Sequence, residues 1–245
     1  MAEKKRYHLL DVLRGLCLIV MIYDHVMYDL DYVADVPWAD FSHWAVQLPG
    51  TWCAFGFWIL SGACFHLSRR PLKNAGKILA GALAVSAVTI TLIPGGEIWF
   101  GVLHGIGCAY LLTVLLHPWL KKVNPLVGFG VSVVLFCLLW LLPQGQLGCL
   151  SIPLVNLPAQ WYQFAFLAPL GLPSPDFYSA DYFPLLPWVF AFWMGYFGWQ
   201  CNGVKEWVER RNNLTCPPLQ WMERNSLLLY LVHQPVLYGL TLLIF

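Results

Sequence analysis

Charge is what this sequence has least of. Asp, Glu, Lys and Arg make up 11% of its 245 residues, where an ordinary soluble domain carries about 25%. Hydrophobic residues make up 59% and the mean hydropathy is +0.62. This composition excludes a soluble globular domain and indicates an integral membrane protein. Lys and Arg are absent from stretches 34–50, 94–97 and 144–181. No linker, low-complexity stretch or obvious internal repeat is visible, so a single domain over 1–245 is the economical reading. The net charge of +1 says nothing about partners by itself, and no nucleic acid is expected among them.

What the sequence does contain is a series of long apolar runs. Seven segments, approximately 9–33, 51–68, 73–94, 99–119, 125–143, 182–203 and 224–245, are each sufficient for a helical span. The 14 basic residues fall at the amino terminus (Lys4, Lys5, Arg6, Arg14), in 69–77, at Lys121 and Lys122, and at Lys205, Arg210, Arg211 and Arg224. Threaded through seven spans, all of them lie on the side of the amino terminus. The positive-inside rule makes that side cytoplasmic and puts Phe245 outside. The expected fold is therefore all-α and polytopic, multi-pass in the cell (inner) membrane.

The amino-terminal run resembles a signal-peptide start, but its span is too long and too polar to be cleaved. The cysteines fall mostly inside spans, as small apolar residues do. Cys53 and Cys149 are the pair whose positions allow a disulfide. The stretch 144–181 is Pro-rich and uncharged except for Asp176 and Asp181. Its 161–170 part is too short to span and too apolar to be freely solvated, which suggests a short interfacial or re-entrant helix.

The first span is the most informative. A charged residue inside a bilayer is costly and marks a candidate functional site. At 100° per residue, with Asp11 as zero, Arg14 falls near ~300°, His25 near ~320° and Asp29 near ~0°. They share one stripe, with Arg14 and His25 about 16 Å apart along the axis. His104 sits just inside the outer end of the fourth span, Asp181 at the outer entrance of the sixth and His233 midway along the last. Three histidines and two carboxylates thus fall in the central-to-outer layer.

This arrangement suits a reaction conducted across the membrane. Arg14, near the cytoplasmic surface with Asp11, offers planar donors that match phosphate. A deeper imidazole with a pKa near neutrality removes a proton from an incoming hydroxyl or amine, with Asp29 or Asp24 orienting it. The alternatives are plain. Arg14 and Asp11, three residues apart, also read as a charge pair closing the helix end. A lone intramembrane His is often a packing or helix-linking residue, and His66 and His117 read as boundary or surface residues. A metal held by His25, His104 and His233 has no ligand spacing in its favour.

Asp11-Val-Leu-Arg14-Gly-Leu with His25 eleven residues beyond the arginine resembles the R-x10-H signature of membrane acyltransferases. Phe55-Gly-Phe-Trp-Ile-Leu-Ser61-Gly62 resembles their aromatic-rich Ser-Gly segment. The runs Gly101-Val-Leu-His104-Gly-Ile-Gly107, Asp181-Tyr-Phe-Pro-Leu-Leu-Pro-Trp188 and Leu231-Val-His-Gln-Pro235 resemble the short bacterial members of the heparan-alpha-glucosaminide N-acetyltransferase catalytic family. The resemblance runs from about residue 6 to 240. It implies transfer of an acetyl or other acyl group from cytoplasmic acetyl-CoA, or another acyl-CoA, to an outer acceptor. Arg14 would assist recognition of the CoA phosphates, His25 would be base or acyl relay, and His104 and Asp181 would line the acceptor side with His233 at the centre. Ser61 would help the donor site or the oxyanion, and no metal is expected. The lysosomal enzyme of that family is longer, so heparan glucosamine is not carried over. The acceptor expected here is an envelope glycan or small molecule bearing a hydroxyl or amine, and the oligomeric state is left open.

Two other classes compete. A proton-coupled secondary transporter also places His and Asp at the midplane, but would more often show internal repeats. A non-catalytic membrane subunit would use the same pocket to bind lipid.

Overall fold

A computed structural model describes residues 6–93 and 95–245. Lys4 and Lys5, which support the topology reading, lie outside the described residues, as does Pro94. Among the described residues the chain forms nine α-helices and one two-stranded hairpin: α1 (His8–Tyr32), α2 (Trp44–Phe65), α3 (Pro71–Leu92), α4 (Val102–Leu120), α5 (Pro125–Leu139), β1 (Gln146–Cys149), β2 (Ile152–Asn156), α6 (Leu185–Gly198), α7 (Val204–Arg210), α8 (Pro217–Arg224) and α9 (Ser226–Ile244). Helices predominate because an apolar solvent leaves each backbone donor and acceptor to be satisfied within its own segment. Starts are set locally. Pro71, Pro125 and Pro217 occupy first-turn positions, where the missing N–H costs nothing. Asn124 caps α5 by accepting from the N–H groups of Leu126 (3.0 Å) and Val127 (3.4 Å).

The all-α membrane reading holds. Five helical segments are long and apolar enough to cross a membrane: α2, α3, α4, Pro125–Gln144 and α9. The other two expected spans are also helical. One, α1, has 25 residues but carries Asp11, Arg14, Asp24, Asp29 and Asp31, while α6 has only 14 residues. The second helix begins at Trp44 rather than near 51, and runs through Pro49. The Thr51 hydroxyl donates to the Gln47 carbonyl beside that proline (3.2 Å). The basic segment before the last span is itself structured, as α7 and α8.

The chain divides into two compact units. The first holds the residues up to Leu60 together with Asn202–Phe245. Here α1 packs against α8 and α9. Gly15 makes the first contact possible, because a Cβ there would stand 2.8 Å from the Leu219 Cβ and overlap the Leu219 carbonyl. The amino-terminal turn is tied down by polar bonds. Asn212 accepts from the His8 N–H (2.6 Å) and donates to the Arg6 carbonyl (3.0 Å), and Gln220 pairs with His8 (2.9 Å).

The second unit, Ser61–Cys201, is built on α6, which packs against α4 and α5, while α3 packs against α4. Phe192 and Tyr196 of α6 are completely buried. At Gly62 the α2 backbone meets α6 so closely that any Cβ would overlap the Phe192 carbonyl. The stretch 144–181 contains the antiparallel β1–β2 hairpin, followed by tight turns at Ala159–Tyr162 and Ala165–Leu170. The helix expected at 161–170 is realised only as short 3-10 turns, with Pro169 inside the second and lacking the N–H that a continuous helix needs, while the hairpin at 146–156 was not expected. All eight cysteines are free thiols.

Candidate active site

In the first unit, α1 and α9 bring His25 and His233 face to edge. Their ring centroids are 4.7 Å apart and their planes 85° apart. His25 Nδ1 lies 2.8 Å from the Met21 carbonyl one turn earlier. A carbonyl only accepts, so Nδ1 carries a proton, and in the neutral form of the ring Nε2 is the lone pair. His233 is held in the same way. Its Nδ1 donates to the carbonyls of Tyr230 (2.8 Å) and Leu229 (3.2 Å), so in the neutral ring Nε2 is the lone pair. Backbone carbonyls, rather than a carboxylate, thus fix both tautomers.

Asp29 stands one turn beyond His25 on α1 and is 1% exposed. Its Oδ1 accepts from Gln234 Nε2 at 2.9 Å. Three buried atoms of this cluster, Asp29 Oδ2, Gln234 Oε1 and His233 Nε2, have no hydrogen-bond partner among the described residues. Buried polar groups left without partners are rare and call for an explanation. With Asp29 ionised and His233 neutral all three are acceptors, as Nε2 of a neutral His25 is. A group that satisfies them must bring donors. Sequence reasoning missed Gln234, although its place beside His233 in Val232-His233-Gln234-Pro235 was the available signal. Asp24, the other proposed orienting carboxylate, lies instead against Gly50 of α2, where a Cβ would overlap it.

Towards the amino-terminal end of α1, Arg14 Nη1 donates to Glu223 Oε1 of α8 at 2.6 Å. Glu223 Oε2 is 3.5 Å from Arg6 Nη2, and Arg6 Nε is bonded to Asp11 Oδ2 at 2.5 Å. The Arg14 guanidinium also lies 5.5 Å from the centre of the Phe57 ring. Two arginines and two carboxylates therefore alternate in a partly exposed network. Glu223 was not foreseen, because nothing in a lone Glu in 217–224 reveals a partner so distant in sequence.

In the second unit, His104 and Asp181 come together at the start of α4. His104 Nδ1 accepts from the Gly101 N–H (3.3 Å), and Nε2 lies 3.2 Å from Ser86 Oγ. Ser86 spends its own proton on the Ile98 carbonyl (2.6 Å), so His104 is the Nε2–H donor in that bond. Asp181 Oδ2 accepts from the Val102 N–H (3.0 Å). A carboxylate there complements the positive end of the helix dipole. Both nitrogens of His104 are engaged, and the ring is buried.

Ser61 is buried too, and its carbonyl accepts from the Tyr110 hydroxyl (3.3 Å). A second histidine group was not expected. His66 Nε2 donates to the Tyr196 carbonyl (2.9 Å), and His117 Nδ1 is 2.9 Å from the Tyr196 hydroxyl. His117 is therefore half-buried rather than a surface residue, and with His66 it lines a cavity of about 240 Å³. Among the described residues, no three His, Cys, Asp or Glu side chains are grouped as metal ligands would be.

A family model described as heparan-alpha-glucosaminide N-acetyltransferase, catalytic, matches residues 6–235. Since that is nearly the whole chain, the chain belongs to this family of transmembrane acetyltransferases. Comparison with curated proteins and with solved structures gives no match.

Proposed function

With family membership as the premise, we propose that the chain transfers an acetyl group from acetyl-CoA to a hydroxyl or amine, and that His25 is the general base. The observation that carries this reading is the His25–His233 ring pair on the helices that also carry the Asp29–Gln234 bond, with buried side-chain atoms of His233, Asp29 and Gln234 left without a hydrogen-bond partner among the described residues. A substrate with several N–H or O–H groups satisfies that constellation, and such a group is also the nucleophile of acyl transfer. His25 Nε2 takes the acceptor's proton as its N or O attacks the thioester carbonyl. The C–S bond breaks, and the CoA sulfur receives the proton from the imidazolium. Asp29 holds a negative charge one turn away while the ring is cationic.

The donor approaches from the basic, cytoplasmic side, where Arg14 binds its phosphates by exchanging Glu223 for them. The acceptor is a glycan or small molecule on the opposite side of the cell membrane. CoA thiol release by purified protein, with glucosamine or glucose as trial acceptors, tests the reading. His25→Ala should retain the rise in melting temperature with acetyl-CoA and lose turnover. Full turnover in that variant would remove His25 as the base. Flux of a labelled acceptor into proteoliposomes, without acetylation, would favour transport instead.

A further inference from the structure

Between Lys122 and Asp176 the chain has no charged side chain, yet only part of that stretch is the membrane-crossing α5. The β1–β2 hairpin follows immediately and does not turn away from it. At the hairpin tip, Leu150 takes a left-handed conformation (φ 53°), and its N–H donates to the Cys137 carbonyl in the last turn of α5 (3.2 Å). Gly148 of β1 packs on Leu141. The hairpin therefore folds back along the end of the helix it has just left.

Its apolar side chains are not used internally. Every residue of β2 is exposed, with Ile152 at 65% and Leu154 at 64%. Since alternate residues of a strand point to opposite faces, Leu154 and Val155 present apolar surface on both sides. The turns that follow add Phe164 and Phe166, the latter 74% exposed. They are pinned to the same place by the Tyr162 hydroxyl, which donates to the Leu142 carbonyl (2.6 Å). A charge-free apolar surface of this kind in water would be an association site.

We infer that the hairpin and the turns after it lie in the lipid interface at the outer end of α5. Two observations favour lipid as the occupant: the hairpin packs on α5, whose own Val131 and Val134 are exposed apolar side chains, and its tip reaches back to the level of Cys137. Depth is bounded by the backbone. A two-stranded hairpin has unpaired edges, which exclude it from the hydrocarbon centre, while aromatic and amide side chains such as Trp161 and Gln160 suit the headgroup level.

The test uses Cys149, the one exposed cysteine of the eight. The full chain is spin-labelled there in nanodiscs of phosphatidylcholine and phosphatidylglycerol, and collision with oxygen is compared with collision with a water-soluble nickel chelate. Leu154→Cys in a Cys149→Ser background gives a second position, and Asp176→Cys in the same background gives an aqueous reference. At both hairpin positions the oxygen-to-nickel ratio should exceed the reference roughly threefold or more, as for an interfacial segment. A ratio equal to the reference would overturn the inference. Spin–spin broadening that disappears on dilution with unlabelled protein would also overturn it, by showing that a second copy covers the patch.

Discussion

His25 with His233, and His104 with Asp181, are both sets of polar side chains carried by apolar helices, but they differ in what remains once internal hydrogen bonds are made. At the start of α4, both nitrogens of His104 and the Asp181 Oδ2 atom are engaged by Gly101, Ser86 and Val102. Between α1 and α9, each imidazole engages only its Nδ1, and His233 Nε2, Asp29 Oδ2 and Gln234 Oε1 are buried without partners among the described residues. The first arrangement closes a helix end and asks for nothing more. The second has paid a desolvation cost that a substrate would recover. Residue type and membrane depth alone make the two look equivalent.

That contrast predicts unequal responses to mutation. The largest effect is expected at His25, where Ala should lower turnover by about 10²-fold or more, the scale of a lost general base, with little change in melting temperature. Asp29→Asn keeps the size of the side chain and its Gln234 contact but removes the charge. It should raise the KM for the acceptor by roughly tenfold, as loss of a charge-assisted bond implies, and leave acetyl-CoA affinity unchanged; a donor defect instead would break the assignment. Glu223→Gln should tighten acetyl-CoA binding a few-fold if Arg14 serves donor phosphates, since its charged competitor is gone. Isothermal titration decides this, and unchanged affinity would make the Arg14–Glu223 pair purely structural. The smallest functional effect is expected at α4. Asp181→Ala should cost about 1 kcal/mol, as loss of a helix cap does, and His104→Ala about 1–3 kcal/mol. Both should keep turnover per folded molecule, and their double mutant should be less than additive, because one helix start is lost in each. Loss of turnover by His104→Ala in folded protein would erase the distinction between the two regions.

The sequence made much of this legible. Apolar run length located the long helices to within a few residues except at the start of α2, which lies seven residues earlier, and the 3.6-residue period placed His25 and Asp29 on one stripe of α1, which α9 then covers with His233. Pairing was harder to read. Asp29 with Gln234 and Arg14 with Glu223 join residues about 200 positions apart, and periodicity within one helix carries no information about the facing one. The role of His104 was hidden for a different reason. Its partners are mainly backbone groups, Gly101 N–H directly and the Ile98 carbonyl through Ser86, and backbone groups leave no trace in composition. The hairpin at 146–156 was not read at all, and the apolar run at 161–170, taken for a helix, forms 3-10 turns, because a short hydrophobic run does not fix its own secondary structure.

The position of Glu223 has a mechanical consequence. It belongs to the short helix α8, and a single residue, Asn225, separates that helix from α9. Asn225 is the C-cap of one and the N-cap of the other, at φ −106° and ψ 18°. With planar peptides, two soft torsions are all that such a joint contributes. Any ligand that draws Arg14 away from Glu223 removes one tie on the short arm of a crank whose long arm carries His233, leaving Arg6, the Gln220–His8 pair and the Gly15–Leu219 contact to hold it. Rotation of that arm is either absorbed at Asn225 or delivered to the imidazole that faces His25.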